Sequence, residues 1–191
     1  TTLIAAEAAG VEAWGTDPHP FVGRITRAKL AWRTDSDLFR KKAEAVLKRA
    51  RTLPGEIEGY PPLIRECYED SVLADLDSLR HAVVELDADD PAAELTWLAL
   101  VSILRKCSKV CTAQCQYVLP KKTKRFPALP YGAFSAAIQM FYADMLVGEK
   151  MTGPKAKFLE ADARDCGTLP ENYFDLVVTS PPYPNNYDYA D

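Results

Sequence analysis

Four consecutive residues near the end of the chain, Ser180, Pro181, Pro182 and Tyr183, bring together a hydroxyl, two ring-locked backbone positions and an aromatic plane. They follow residues 174–179, Phe-Asp-Leu-Val-Val-Thr, whose β-branched apolar run predicts a buried strand. Proline has no N–H to give to a sheet ladder, so the strand must stop at Ser180 and a stiff loop must begin. Open α/β sheets bind ligands at the carboxyl ends of their strands, which makes this loop the candidate active site.

A second chemical position lies near the start. Residues 1–9 read as a helix ended by Gly10, and residues 11–16 as a strand that closes on Asp17 and the turn Pro18-His19-Pro20. Helix, glycine, strand and acid, in that order, make the second half of a nucleotide-binding βαβ unit, and the strand and glycine-rich turn of its first half are expected immediately before Thr1. Asp17 is then placed to accept hydrogen bonds from ribose hydroxyls; the alternative is a turn aspartate capping the next helix. No partner acid marks His19 as a base, and it reads as a loop residue, with His81 on a helix surface. A third strand, residues 156–160, runs into Ala161-Asp162-Ala163-Arg164-Asp165, where Asp165 reads as a cap on the next turn.

Two further groups invite a chemical reading. Cys107, Cys111 and Cys115 are spaced by four, which raises an iron–sulfur site but equally matches one helix face lined with small buried thiols; no metal is assigned. Lys121, Lys122, Lys124 and Arg125 form a basic tract that suits contact with phosphates, or simply a solvated loop.

Around these residues, helices are predicted over 21–32, from a cap at Asp35 or Ser36 to about Arg51, over 71–86, from the Asp90 cap with Pro91 in the first turn, and over 131–150. Leu95, Leu98, Val101, Ile103 and Leu104 form one core-facing stripe, and Phe134, Ile138, Phe141 and Met145 another. Pro54-Gly55, Gly59 and Pro61-Pro62 mark a linker. The expected fold is α/β: a partial Rossmann-like sheet with a large helical insertion between its second and third strands. Residues 1–32 and 153–191 belong to the sheet domain, and residues 33–152 to the insertion.

The totals bound the rest. The chain has 191 residues, 48% of them hydrophobic, which is enough for a packed core. Net charge is only −4, yet residues 24–51 hold ten Lys/Arg against three acids, and residues 56–94 hold twelve acids against two arginines. Such segregation is compatible with an anionic partner, although a solvated helical surface is the commoner cause. Five cysteines without scaffold density fit a reducing cytoplasm. No apolar run reaches the length of a membrane span.

Taken together, Ala161-Asp162-Ala163, Leu169-Pro170 and Phe174-Asp175-Leu176-Val177-Val178-Thr179-Ser180-Pro181-Pro182-Tyr183 resemble the amino-group DNA methyltransferases, in the branch with Ser-Pro-Pro-Tyr. Thr1-Thr2-Leu3-Ile4-Ala5-Ala6 is similar to the helix after that family's glycine-rich motif, and Gly15-Thr16-Asp17-Pro18 to its second-strand acid. The resemblance covers about the first thirty and last forty residues. It implies S-adenosylmethionine as methyl donor, with Thr1 and Thr2 at the cofactor, Asp17 on its ribose and Asp162 on its adenine amino group. Ser180, Pro181, Pro182 and Tyr183 become catalytic, DNA becomes the substrate, and the leading serine favours N4 of cytosine over N6 of adenine, in a restriction-modification or epigenetic setting. Residues 185–189 would line the base pocket. RNA or protein as the methyl acceptor, or a non-catalytic methyltransferase-like fragment that binds nucleic acid, are the alternatives.

Overall fold

The computed structural model describes residues 1–111, 123–165, 167 and 169–179. The described elements run α1 (Thr2–Ala8), β1 (Trp14–Thr16), α2 (Pro20–Leu30) with a single 3₁₀ turn (Ala31–Arg33), α3 (Ser36–Ala50), α4 (Pro62–Cys67), α5 (Asp70–Val84), α6 (Pro91–Cys107), α7 (Pro130–Gly148) and β2 (Lys157–Leu159). The expected helices form where the stop and start signals put them. Asp35 caps α3 by accepting from the Leu38 N–H at 2.8 Å, and Asp90 caps α6 by accepting from the Ala92 N–H at 2.8 Å. Each cap satisfies a donor that the first helical turn otherwise leaves unpaired. The short helix α4 starts at Pro62, where the stretch read as linker ends, and is not among the expected helices.

The core sits in the helical block. Phe39, Ala43, Val46 and Ala50 recur at spacings of four, three and four along α3 and meet Leu76, Leu79 and Val83 of α5. Leu95, Ala99 and Ile103 of α6 and Phe134, Ile138 and Met145 of α7 close the same cluster. Each large apolar side chain buried this way contributes about 1.5–3 kcal/mol. Leu104, 36% exposed, lies off the α6 stripe in which it was expected.

The segregated charges find each other. Arg24 pairs with Glu94 at 2.7 Å, Lys42 with Asp90 at 2.5 Å and Arg49 with Glu85 at 3.0 Å, so cations of α2 and α3 face acids from the acidic stretch. Half-exposed pairs of this kind add little stability each, but they leave fewer cations on this face for an anionic partner.

β1 and β2 pair in parallel, with Trp14 opposite Lys157, Gly15 opposite Phe158 and Thr16 opposite Leu159. The crossover between them is the whole helical block. Its two ends are clamped together: the buried Glu7 carboxyl accepts from Trp32 Nε1 at 2.7 Å and from the Ala156 N–H at 2.6 Å. Arg33 donates to the carbonyls of Met151, Gly153 and Pro154, and Glu149 accepts from the Ser36 N–H.

The buried strand expected at 174–179 is not formed. Among the described residues no ladder includes them, and Leu176, Val177 and Val178 are 79%, 80% and 71% exposed. A strand is buried by its neighbours, and the only described ladder is the one joining β1 to β2. The segment is held at its start, where the Tyr173 hydroxyl donates to Glu12 at 2.8 Å and Phe174 meets Trp14 edge-on at 6.1 Å.

The linker is fixed against α5 through Asp77, which accepts from the Tyr60 hydroxyl at 2.5 Å and the Glu56 N–H at 2.9 Å. Gly55 lies where the chain passes closest: a Cβ there would sit 1.9 Å from the Ala74 carbonyl oxygen, whereas a Cβ on Gly59 would meet nothing within 4 Å. Gly55→Ala is expected to lower stability by about 1–3 kcal/mol in denaturant unfolding, the usual cost of overpacking, with Gly59→Ala within about 0.5 kcal/mol of wild type.

Candidate functional site

The parallel register brings the carboxyl ends of β1 and β2 side by side. The Asp17 N–H donates to the Leu159 carbonyl at 3.4 Å, extending the pairing one residue past Thr16 and setting Asp17 beside Glu160. Leu3 of α1 packs so closely on Gly15 of β1 that a Cβ there would lie 2.9 Å from Leu3 Cδ1. Thr1 and Thr2, both exposed, precede Leu3 at the start of α1.

Asp17 is half-buried and does not cap α2. Its Oδ1 accepts from the His19 N–H at 2.8 Å, while the cap is His19 itself, whose Nδ1 accepts from the Phe21 N–H at 3.2 Å. The helix-cap alternative for Asp17 fails, because His19 takes that place; Asp17 instead orders the turn with one oxygen and keeps Oδ2 outside that bond. The capping role of His19 had a signal in the sequence, since Pro20 directly after it is a first-turn residue.

The other acids at this sheet end are paired. Glu160 accepts from Arg27 of α2 at 2.9 Å. Asp162 binds Arg164, which donates from Nη2 at 2.6 Å, from Nε at 3.0 Å and from its backbone N–H at 2.9 Å. The side-chain hydrogen bond from Arg164, followed by its backbone N–H, holds the Asp162 carboxyl down at about 2. A ligand amino group at Asp162 must share it with this guanidinium, or displace it; the Arg164 side chain is 91% exposed.

Ser180, Pro181, Pro182 and Tyr183 lie outside the described residues, as do residues 185–189, Lys121, Lys122 and Cys115. Lys124 is turned inward to hydrogen-bond the Arg105 carbonyl near the end of α6, and its backbone N–H donates to the Lys109 carbonyl at 2.7 Å. Arg125 stands over Phe126 at 5.2 Å, and that ring is 82% exposed, which leaves a cationic and aromatic pair facing solvent. The single-helix reading of the cysteines fails between the first two: α6 ends at Cys107, Ser108 turns to extended backbone, and Cys111 lies beyond it. Burial pushes the Cys107 thiol up to about 11, which keeps it protonated. Among the described residues no group of three His, Cys, Asp or Glu side chains is placed to hold a metal ion.

A cavity of about 540 Å³ opens between α4, α5 and α6, with Tyr60, Tyr68, Leu76, Val83, Trp97 and Leu100 among its walls. It belongs to the helical block, and the arginines on its rim are already paired, Arg24 with Glu94 and Arg80 with Asp77. The acids at the sheet end offer hydrogen-bonding chemistry of a different kind, suited to hydroxyl and amino groups.

The Asp162–Arg164 pair is directly measurable. Its ionised form persists below the ordinary aspartate value near 4 and is lost only as pH falls through about 2. In Arg164→Ala, carboxyl-detected NMR should show Asp162 titrating back near the ordinary aspartate value; an unchanged midpoint would remove Arg164 as the cause.

Comparison with protein-family models, with curated proteins and with solved structures finds no match for this chain.

Proposed function

We propose that the chain carries the cofactor-binding acids and the catalytic loop of an S-adenosylmethionine-dependent DNA methyltransferase acting on an exocyclic amino group, cytosine N4 ahead of adenine N6, within a reducing cytoplasm. The observation that carries the reading is the β1–β2 pair: two parallel strands with the whole helical block between them, each followed by an acid at the carboxyl end, Asp17 directly and Asp162 three residues on. That is where doubly wound sheets hold nucleotides.

The run Leu176–Val177–Val178 bears on the reading only through its composition, since it is exposed and outside the β1–β2 ladder. Three consecutive apolar residues are the pattern of a strand covered on both faces.

The donor set fits a ribonucleoside. Asp17 retains a carboxylate oxygen beyond its turn bond, and Asp162 carries acceptor oxygens of the kind an adenine amino group requires, which it would share with Arg164. Bound there, S-adenosylmethionine supplies a methyl group on a positively charged sulfur. The chain's own task is to prepare the acceptor nitrogen, whose lone pair is delocalised into the base ring. Ser180 Oγ and the Pro181 carbonyl would accept hydrogen bonds from the two amino N–H groups and draw the nitrogen toward a tetrahedral form. Pro181 and Pro182 stiffen the loop and contribute no competing N–H. Tyr183 stacks on the base after it leaves the duplex, a contact worth about 1–3 kcal/mol. The acceleration comes from orientation and fixed dipoles rather than from a strong base.

The test uses the full open reading frame that contains this chain, incubated with unmethylated DNA and labelled methyl donor, followed by digestion to nucleosides. N4-methylcytosine is expected, and Ser180→Ala should lower its formation at least a hundredfold, the scale seen when a positioned polar group is lost from an active site. Label in N6-methyladenine alone would reverse the base assignment, and label confined to RNA or protein would sink the DNA reading.

Binding to phosphates is separable. Replacing Lys121, Lys122 and Arg125 together by glutamine should flatten the slope of log affinity against log salt by about 0.9 for each phosphate no longer neutralised, roughly two to three in all. Lys124→Gln, whose ammonium is occupied by the Arg105 carbonyl, should leave the slope unchanged.

A further inference from the structure

The sheet end holds a hydrogen-bond donor that the cofactor reading leaves unused. His19 caps α2 through Nδ1, which accepts from the Phe21 N–H at 3.2 Å. An imidazole nitrogen that accepts a hydrogen bond carries a lone pair and no proton, so in the neutral ring the proton is on Nε2. The cap therefore fixes the tautomer, and Pro18 and Pro20 on either side restrict the backbone that carries the ring. His19 is exposed, and its Nε2 makes no hydrogen bond among the described residues.

Two residues earlier, Asp17 presents an uneven carboxylate. Oδ1 is engaged by the His19 N–H at 2.8 Å, and Oδ2 is the oxygen outside that bond. A carboxylate with both oxygens open can take both hydroxyls of a vicinal diol; with one oxygen committed, the second hydroxyl gains from another partner. The same short turn supplies an acceptor at Asp17 Oδ2 and a donor at His19 Nε2. A ribose 2′,3′-diol is complementary to that pair, one hydroxyl donating to Asp17 and the other accepting from His19.

We infer that His19 is a ligand-binding residue, a tautomer-locked donor that works with Asp17 to hold the vicinal diol of a ribonucleoside. This rests on the cofactor reading given above and adds to it a residue and a specificity: hydroxylated sugar over deoxygenated sugar.

The chain contains two histidines, so ring resonances of His19 are separable from those of His81. Long-range ¹H–¹⁵N spectra of the labelled protein, recorded at neutral pH, should show His19 as the Nε2–H tautomer. Millimolar adenosine and S-adenosylhomocysteine should each move its Nε2 signal, while 2′,3′-dideoxyadenosine should not. His19→Asp keeps an acceptor to cap α2 but has no donor; it should weaken adenosine about three- to tenfold, as the loss of one neutral hydrogen bond does, and leave the dideoxy compound unaffected. Shifts of the Asp17 and His19 amides with a stationary His19 ring, and equal adenosine affinity in His19→Asp, would overturn the inference and leave the cofactor reading standing. No shift with any of these ligands would overturn both. ATP separates the possible sources of the diol: tighter binding of S-adenosylhomocysteine than of ATP assigns it to the methyl donor, and the reverse order keeps the His19–Asp17 clamp but removes the methyl-donor reading.

Discussion

The buried carboxyl of Glu7 joins parts of the chain that are far apart in sequence. One oxygen takes the Trp32 indole N–H and the other takes the Ala156 backbone N–H, so α1, the 3₁₀ turn after α2 and the approach to β2 meet on one side chain that is 2% exposed. A buried polar group with both oxygens satisfied is stable in place, and it becomes costly, by about 1–3 kcal/mol, when a partner is removed. That penalty resists any shift of the helical block relative to the sheet end. Arg33, holding three carbonyls between Met151 and Pro154, works at the same junction.

Because the junction is tight, the helical block is more than an appendage inserted in a loop. Helix α2 shows this most directly. Arg27 reaches Glu160 after β2, while Arg24 reaches Glu94 of α6 and lies 4.0 Å over the Trp97 ring. One helix thus touches both the sheet end and the bundle, so packing in the bundle bears on the position of the strand end where Asp17 and His19 lie. The apolar core of α3, α5, α6 and α7 provides the stability, and the short sheet borrows it, since two strands of three residues have too little buried surface to persist alone.

The sheet end concentrates acids that differ in their freedom. Glu160 is committed to Arg27, Asp162 is held low by the exposed Arg164, and Asp17 is oriented by its own turn. Three carboxyl groups of the same type therefore present three different surfaces to a ligand. The distinction comes from the cations and N–H groups around them rather than from the acids themselves.

Local signals were legible from residue order. Asp35 and Asp90 before apolar periodicity marked helix starts, Gly10 ended α1 at a φ of +71°, and the apolar spacing of α7 marked the face that is buried. These are properties of a few neighbouring residues, set by capping geometry, glycine's conformational freedom and the helical repeat. What residue order could not carry were the outcomes that depend on distant neighbours. Leu176, Val177 and Val178 have the composition of a buried strand and stand exposed, because burial belongs to the strands alongside. The basic and acidic stretches, which alone could equally have meant an anionic partner, pair with each other across α2, α3, α5 and α6. The sequence by itself determined the helices, the position of Asp17 at a strand end and the Ser180–Tyr183 motif. Only the tertiary structure decided which acid keeps an open oxygen and which histidine nitrogen carries the proton, since both follow from hydrogen bonds that exist once the chain has folded.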